Sequence, residues 1–221
     1  MPLRAVFFDL DGTLLDTAQD MVALLNHMLK EDCLPLVDEQ TTRSIVSNGS
    51  IALVKKGYQL ADDDSRVEPL RERFLQHYGN NLCTHTKPFE GITQLIEELA
   101  KRDILWGIAT NKPYAYAAPL MKHFRFASEP ICVISPDHVT RTKPDPECLK
   151  LACDAANCKP EDAIYIGDHL RDILCGKGAG MPTIAATYGF IEDHDDPQSW
   201  AADYYVDSAT EIWPLIEKHF I

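Results

Sequence analysis

Strand-length apolar runs that end in acidic, hydroxyl, amide or glycine residues constrain this chain more than any other feature. Leu3–Asp9 ends in Asp9-Leu10-Asp11-Gly12-Thr13, and Ile104–Ala109 ends in Thr110-Asn111. A run near Ile131–Ile134 leads through a loop to Lys143-Pro144, and Ala163–Ile166 ends in Gly167-Asp168, with Asp172 further on. Such runs read as strands buried on both faces. Segments of helical spacing separate them: Ile92–Arg102, Tyr114–Phe124, Pro146–Asn157 and Leu170–Ala179. Strands at Thr183–Ala186 and Tyr204–Val206 and a last helix over Ala209–His219 complete the alternation. The pattern predicts an α/β fold, a parallel sheet with helices on both faces.

The alternation breaks between Asp16 and Thr86. Met21, Leu24, Leu25, Met28 and Leu29 recur at helical spacing, with Asp16 or Thr17 placed to cap the start. Further helices are predicted over Glu39–Val46, Ile51–Leu60 and Glu68–Leu82, with Ser47-Asn48-Gly49-Ser50 as a turn and cap signal between the first two. Residues 16–86 thus read as a helical cap, inserted into a core made of residues 1–15 and 87–221.

Composition narrows the partners. With 221 residues, 45% of them hydrophobic, the chain can bury one core plus a small appended module. No apolar run approaches the ~18 residues of a membrane span, and the apolar start is too short for a secretory leader, so a cytoplasmic protein is expected. The net charge of −13 and a pI near 4.9 argue against nucleic acid and anionic membranes. An anionic ligand would have to be met by local lysines, backbone amides or a metal; the chain itself is expected as a monomer or homodimer. The seven cysteines form no C-x-x-C pair, and Cys148, Cys153 and Cys158 have no zinc-site spacing, so reduced thiols are expected.

Ligands of open parallel sheets collect beyond the C-terminal strand ends. There the residue types dictate a chemistry. Asp9 and Asp168, with a backbone carbonyl, make a hard oxygen site suited to Mg²⁺, which relieves the repulsion between close carboxylates. Asp9 can attack phosphorus as a nucleophile. Asp11 can protonate the leaving oxygen and then activate water. Thr110 and Asn111 can donate hydrogen bonds to the transferring group, Lys143 supplies positive charge, and backbone amides freed by Gly12 complete a phosphate cradle. The end of Thr183–Ala186 offers only bland residues.

Asp9-Leu10-Asp11-Gly12-Thr13, Thr110-Asn111, Lys143-Pro144 and Gly167-Asp168-His169-Leu170-Arg171-Asp172 together resemble the four motifs of the haloacid-dehalogenase superfamily. The resemblance implies a Rossmann-like core with a helical cap inserted after the first strand. It implies Asp9 as nucleophile, Asp11 as general acid and base, and Mg²⁺ on the Asp9 side chain, the Asp11 backbone carbonyl and Asp168. Asp172 would stand behind these, holding metal waters or Lys143. Because a halide leaving group needs no proton, Asp11 favours phosphate esters over dehalogenation, and the partner implied is a small phosphorylated metabolite.

Thr110-Asn111-Lys112-Pro113, Arg141–Pro146 and Thr187–Phe190 resemble the phosphoglycolate phosphatase branch. Pro136–Val139 and Asp196–Asp203 are more similar to the N-acetylmuramic acid 6-phosphate phosphatases. In this branch a cap loop enters the active site, which makes Gly49 and Ser50 candidates for substrate contact; the competing reading is a plain helix cap. Two further readings of the whole chain stay open: a sugar phosphomutase similar to β-phosphoglucomutase, and a catalytically silent binding protein on the same fold. His169 is expected at the entrance or in solvent with no catalytic role, and Lys55-Lys56 as a solvated pair.

Overall fold

The computed structural model describes residues 3–221; Met1 and Pro2, the start of the stretch weighed above as a leader and as part of the core, lie outside them. In chain order come β1 (Ala5–Phe8), β2 (Leu15–Asp16), α1 (Ala18–Glu31), α2 (Glu39–Arg43), α3 (Gly49–Tyr58) and α4 (Val67–Asn80). They are followed by β3 (Lys87–Pro88), α5 (Ile92–Lys101), β4 (Leu105–Ala109), α6 (Tyr114–Met121), β5 (Val133–Ile134) and α7 (Glu147–Ala156). The last elements are β6 (Ala163–Gly167), α8 (Leu170–Ala179), β7 (Thr183–Ala186), β8 (Tyr204–Val206) and α9 (Ile212–His219). Six strands form one parallel, Rossmann-like sheet in the order β5-β4-β1-β6-β7-β8.

The period-two alternation of β1 sends its side chains into two cores. Val6 and Phe8 pack with Ile96, Leu99, Trp106 and Ile212 on one face. Ala5 and Phe7 pack with Leu149, Cys153 and Cys175 on the other. All four residues of β1 are buried, which is why the run carries no polar side chain. Phe8 pairs with both Ile108 and Ile166, so the residues that follow these three strands emerge at one edge. The strand order reverses beside β1, which puts a crevice at that edge.

Helices α1 to α4 bury a separate apolar cluster that includes Met21, Leu25, Met28, Leu53, Val54, Phe74 and Tyr78; Phe190 of the sheet region joins it. Two features of this insert escaped the sequence reading. Its ends are tied by an antiparallel pair, Leu15 with Pro88 and Asp16 with Lys87. Beside them the buried Asp20 accepts hydrogen bonds from the N–H groups of Thr84, His85 and Thr86 and from the Thr86 hydroxyl, at 2.6–3.0 Å. Four donors satisfy this carboxylate and fix α1 to the returning chain.

Several boundaries differ from expectation. The helix expected over Glu39–Val46 stops at Arg43 and gives way to a 3₁₀ turn, Val46–Asn48. The Thr41-Thr42 pair and the Ser-Asn-Gly sequence beyond favour side-chain-to-backbone bonds over helix continuation. Thr17 does stand at the N-cap of α1, but its hydroxyl donates to Asp11 at 2.7 Å instead of capping. The last helix begins at Ile212, after a 3₁₀ turn over Ala209–Glu211 capped by Ser208. Among the described residues, no helix is long and apolar enough to cross a membrane.

Candidate active site

Asp9 leaves β1 with its N–H donating to the Ile166 carbonyl at 2.8 Å, so the neighbouring strand fixes where the side chain starts. Lys143 meets it from the loop after β5. Its Nζ lies 2.8 Å from Asp9 Oδ1 and 2.7 Å from Asp172 Oδ1, and bonds the Tyr165 hydroxyl at 2.9 Å and the Ala109 carbonyl at 3.1 Å. Among the described residues the Lys143 ammonium is the close partner of Asp9 Oδ1, which takes no other hydrogen bond. Burial alone would lower the Lys143 pKa, but the Asp172 and Asp9 carboxylates push it above its ordinary value. It is a permanent cation.

Asp168 follows β6 and is fully buried. Thr13 Oγ donates to its Oδ1 at 3.1 Å; Ser47 Oγ and the Phe190 N–H donate to its Oδ2 at 2.9 Å each. Two glycines make room for it: a Cβ on Gly12 (φ 85°) would stand 2.1 Å from Asp168 Oδ2, and one on Gly189 would stand 2.2 Å from its Cβ. Carboxylate oxygens of Asp9, Asp168 and Asp172 lie within 4.8 Å of one another. Burial, then the charges of Asp9 and Asp172, push Asp168 up from 3.8 to about 8. Burial raises Asp172 to about 6 against the pull of Lys143, with Asp9 adding to the rise. The Asp172 oxygens are engaged by Lys143 and by the His169 N–H, at 3.1 Å, so Asp172 stands behind the other two. A buried cluster of hard oxygens, in which burial and mutual repulsion push the Asp168 and Asp172 carboxyls up, fits a divalent ion such as Mg²⁺.

The Asp11 carboxylate is turned elsewhere. Lys112 Nζ bonds its two oxygens at 3.0 and 3.2 Å, and Thr17 holds Oδ1. Lys112 is buried and lies 4.6 Å above the ring of Tyr78, on the insert. Burial opposes its charge, yet Asp11 drives its pKa up. Thr110 is buried at the end of β4; its oxygen accepts the Lys112 N–H at 3.1 Å, which leaves the O–H free to donate. The Asn111 side chain is spent on the Lys143 backbone, accepting its N–H at 3.2 Å and donating to its carbonyl at 3.3 Å. It thereby positions Lys143.

These groups floor a cavity of about 300 Å³. Asp9, Asp11, Thr110, Asn111, Lys143 and Asp172 line it from the sheet; Gly49 and Ser50 line it from the insert. No side-chain bond from Asn48 caps α3. Asn48 instead donates to Glu192 at 2.6 Å and accepts from Arg171 at 2.7 Å, while Arg171 also holds the Ser47 carbonyl at 3.0 Å. The insert loop is thus latched onto the sheet edge. His169 lines the cavity, partly buried and stacked on Trp200 at 6.3 Å, where burial and then Arg171 lower its pKa to about 4; it does not face open solvent.

A family model described as haloacid dehalogenase-like hydrolase matches residues 6–186, which hold all four strand-end segments. The chain belongs to that family. An N-acetylmuramic acid 6-phosphate phosphatase of Pseudomonas aeruginosa is 43% identical over 99% of this chain and 96% of its own. A phosphoglycolate phosphatase of Xanthomonas campestris is 38% identical over 95% of each. With these relatives the chain is a phosphoric monoester hydrolase of the family. A haloacid-dehalogenase-superfamily hydrolase structure from Geobacter sulfurreducens superposes with a TM-score of 0.72 over 97% of this chain and 96% of that one; at 20% identity it speaks to the fold alone.

Sequence reasoning gave no role to Ser47, Lys112, Arg171 or the loop after β7, although its turn signal and motifs contain them. Lys112 had a signal, a charge between a strand end and the proline that opens α6. The β7 loop looked bland because it contributes the Phe190 N–H and a Tyr188 hydroxyl bond to the Thr13 carbonyl at 2.9 Å, and a backbone donor leaves no side-chain trace. Ser47 is meaningful only through a partner 121 positions away.

Proposed function

We propose that this chain is a Mg²⁺-dependent phosphatase that hydrolyses N-acetylmuramic acid 6-phosphate through an aspartyl phosphate on Asp9. Residues 1–15 and 87–221 form the catalytic core, and residues 16–86 form a cap over it. The observation that carries the reading is that one cavity brings together the buried Asp9, the Lys143 cation beside it and the Lys112-paired Asp11 with the walls of the insert.

Asp9, Asp168 and the Asp11 carbonyl would hold Mg²⁺, which when bound screens the carboxylates and draws charge from phosphate oxygens. Lys143 balances the remaining charge on Asp9 and the incoming phosphoryl group. Asp9 attacks phosphorus, the ester P–O bond breaks, and Asp11 gives its proton to the leaving sugar oxygen. Asp11 then takes a proton from a water that attacks the aspartyl phosphate, freeing inorganic phosphate and restoring Asp9. The Thr110 O–H donates to the phosphoryl oxygens. Asp172 keeps Lys143 in place, and the latched loop of Ser47 to Ser50 excludes bulk water during phosphorylation.

Size and relatives support this choice of substrate. A cavity of about 300 Å³ lies at the lower end of the range for organic ligands, enough for a substituted monosaccharide. A two-carbon acid such as 2-phosphoglycolate would leave much of it to water. The 43% identity to an N-acetylmuramic acid 6-phosphate phosphatase supports the same choice. The test is phosphate release, with Mg²⁺ and with EDTA, from N-acetylmuramic acid 6-phosphate, 2-phosphoglycolate and glucose phosphates. Metal-dependent release led by the amino-sugar ester is expected. A lead by 2-phosphoglycolate overturns the substrate, and phosphoryl exchange between sugar phosphates without net release overturns the hydrolase in favour of a mutase.

A further inference from the structure

Four cations line the cavity: Arg71, Lys112, Lys143 and Arg171. Three are committed to the protein. Lys143 serves Asp9 and Asp172, and Lys112 serves Asp11. Arg171 spends Nη1 on the Ser47 carbonyl, Nη2 on Asn48 and Nε on His169. Arg71 differs. Its Nη1 bonds Glu68 at 2.6 Å, and among the described residues its Nε and Nη2 have no partner. The Glu68 pair is open to water, with side chains 32% and 59% exposed, so it contributes little and yields readily to a better-placed anion.

The place of Arg71 on α4 gives a ruler. Arg71, Phe74, Leu75 and Tyr78 fall at i, i+3, i+4 and i+7 and all line the cavity, so they form one stripe of the helix. Tyr78 marks the chemical end, because its ring lies under Lys112, which holds Asp11. Arg71 stands two turns earlier, about 10 Å along the axis. Between them the wall is apolar, Phe74 and Leu75.

We propose that Arg71 reads a second anionic group on the substrate, a carboxylate set across an apolar stretch from the phosphate. The inference rests on the phosphatase reading and names what the cap recognises. A guanidinium edge with two free N–H donors matches a carboxylate in a bidentate pair. The lactyl carboxylate of N-acetylmuramic acid 6-phosphate lies across the sugar ring from the phosphate. The carboxylate of 2-phosphoglycolate, one carbon beyond the ester carbon, cannot span the two ends. In a chain of net charge −13, an uncommitted cation in the wall is also what makes a doubly anionic ligand welcome.

The experiment compares kcat/KM for N-acetylmuramic acid 6-phosphate and for N-acetylglucosamine 6-phosphate, the same sugar without the lactyl group, in wild type, Arg71→Gln and Arg71→Lys. The wild-type preference for the carboxylated sugar is expected to fall at least about tenfold in Arg71→Gln, through KM, with part of it kept in Arg71→Lys. Circular dichroism checks the fold of each variant; should Arg71→Gln misfold, a Lys variant with the full wild-type preference overturns the need for a planar fork. A preference unchanged within about twofold in folded Arg71→Gln, or a wild type that does not distinguish the two sugars, overturns Arg71 while leaving the phosphatase reading intact. No release from either ester by wild type overturns both.

Discussion

The sheet edge and the insert face the same cavity but are built differently. At the edge the charges are sequestered and held by several contacts each: the Lys143 side chain is 2% exposed and touches two carboxylates, a phenol and a carbonyl, and that of Asp172 is 0% exposed with both oxygens engaged. The insert reaches the cavity through a half-buried loop, where Ser47 bonds Asp168 and Arg171 and Asn48 bonds Glu192 and Arg171, and through Arg71 at a solvent-open end. Buried charges hold their geometry because any departure strands one of them in a low-dielectric interior. The loop bonds are partly open to water and cost less to exchange. On the function proposed above, reaction chemistry belongs to the buried edge and substrate choice to the insert.

The largest test of this contrast is Asp9→Asn, which removes the nucleophile in a nearly isosteric change. Turnover is expected to fall at least about a thousandfold with the melting temperature little altered; activity above a percent or so of wild type would end the nucleophile assignment. Lys143→Met should strike activity and fold together. Leaving Asp9 and Asp172 uncompensated is expected to cost about 3–5 kcal/mol in denaturant unfolding, and a loss below about 1 kcal/mol would mean that the edge is no more rigid than the insert.

The third prediction concerns metal and pH. Asp168 ionises near 3.8 in the unfolded chain and near 8 in the fold. The folded state therefore keeps a proton that the unfolded state has released, and the metal-free protein loses stability as pH rises between those values. A divalent ion takes the ionised carboxylate, so the rise in melting temperature on adding Mg²⁺ is expected to be larger at about pH 8 than at about pH 6. Equal shifts at the two pH values would remove Asp168 from the metal site. The smallest effect is expected from Ser47→Ala, which cuts one loop-to-edge bond. A rise in KM of about two- to fivefold with kcat nearly kept supports a yielding latch, whereas a kcat loss above about a hundredfold would make Ser47 part of the rigid chemistry.

How much was legible follows the same division. β7 and β8 match their expected spans, and α8 matches Leu170–Ala179. Such segments announce themselves by local periodicity. Asp9, Asp11, Thr110 and Asp168 were legible as candidates because they stand just beyond the apolar runs of β1, β4 and β6; Lys143 comes at the end of the loop after β5 and Asp172 in the first turn of α8. Asn111 was legible as a member of the site but not as the clamp of Lys143, since its partner is a backbone 32 residues away. The helices of the insert were legible within a few residues, Ile51–Leu60 against Gly49–Tyr58 and Glu68–Leu82 against Val67–Asn80, but its loop was not. The 3₁₀ turn at Val46–Asn48 cuts short an expected helix, and contacts with Arg171 and Glu192 accompany the turn in the fold.

By itself the sequence determined the alternating α/β order, the buried central strand and the set of acidic, hydroxyl and lysine groups at the strand ends. These are carried by local composition and by a period of two that no partner needs to supply. Only the tertiary structure decided that Asp168 is framed by Gly12, Gly189 and Ser47, that Lys112 holds Asp11 against Tyr78, and that Arg71 keeps two donors free. Those relations join residues far apart in the chain. They depend on distances of a few ångströms that packing alone sets, because a hydrogen bond or ion pair exists only where both partners are held in reach.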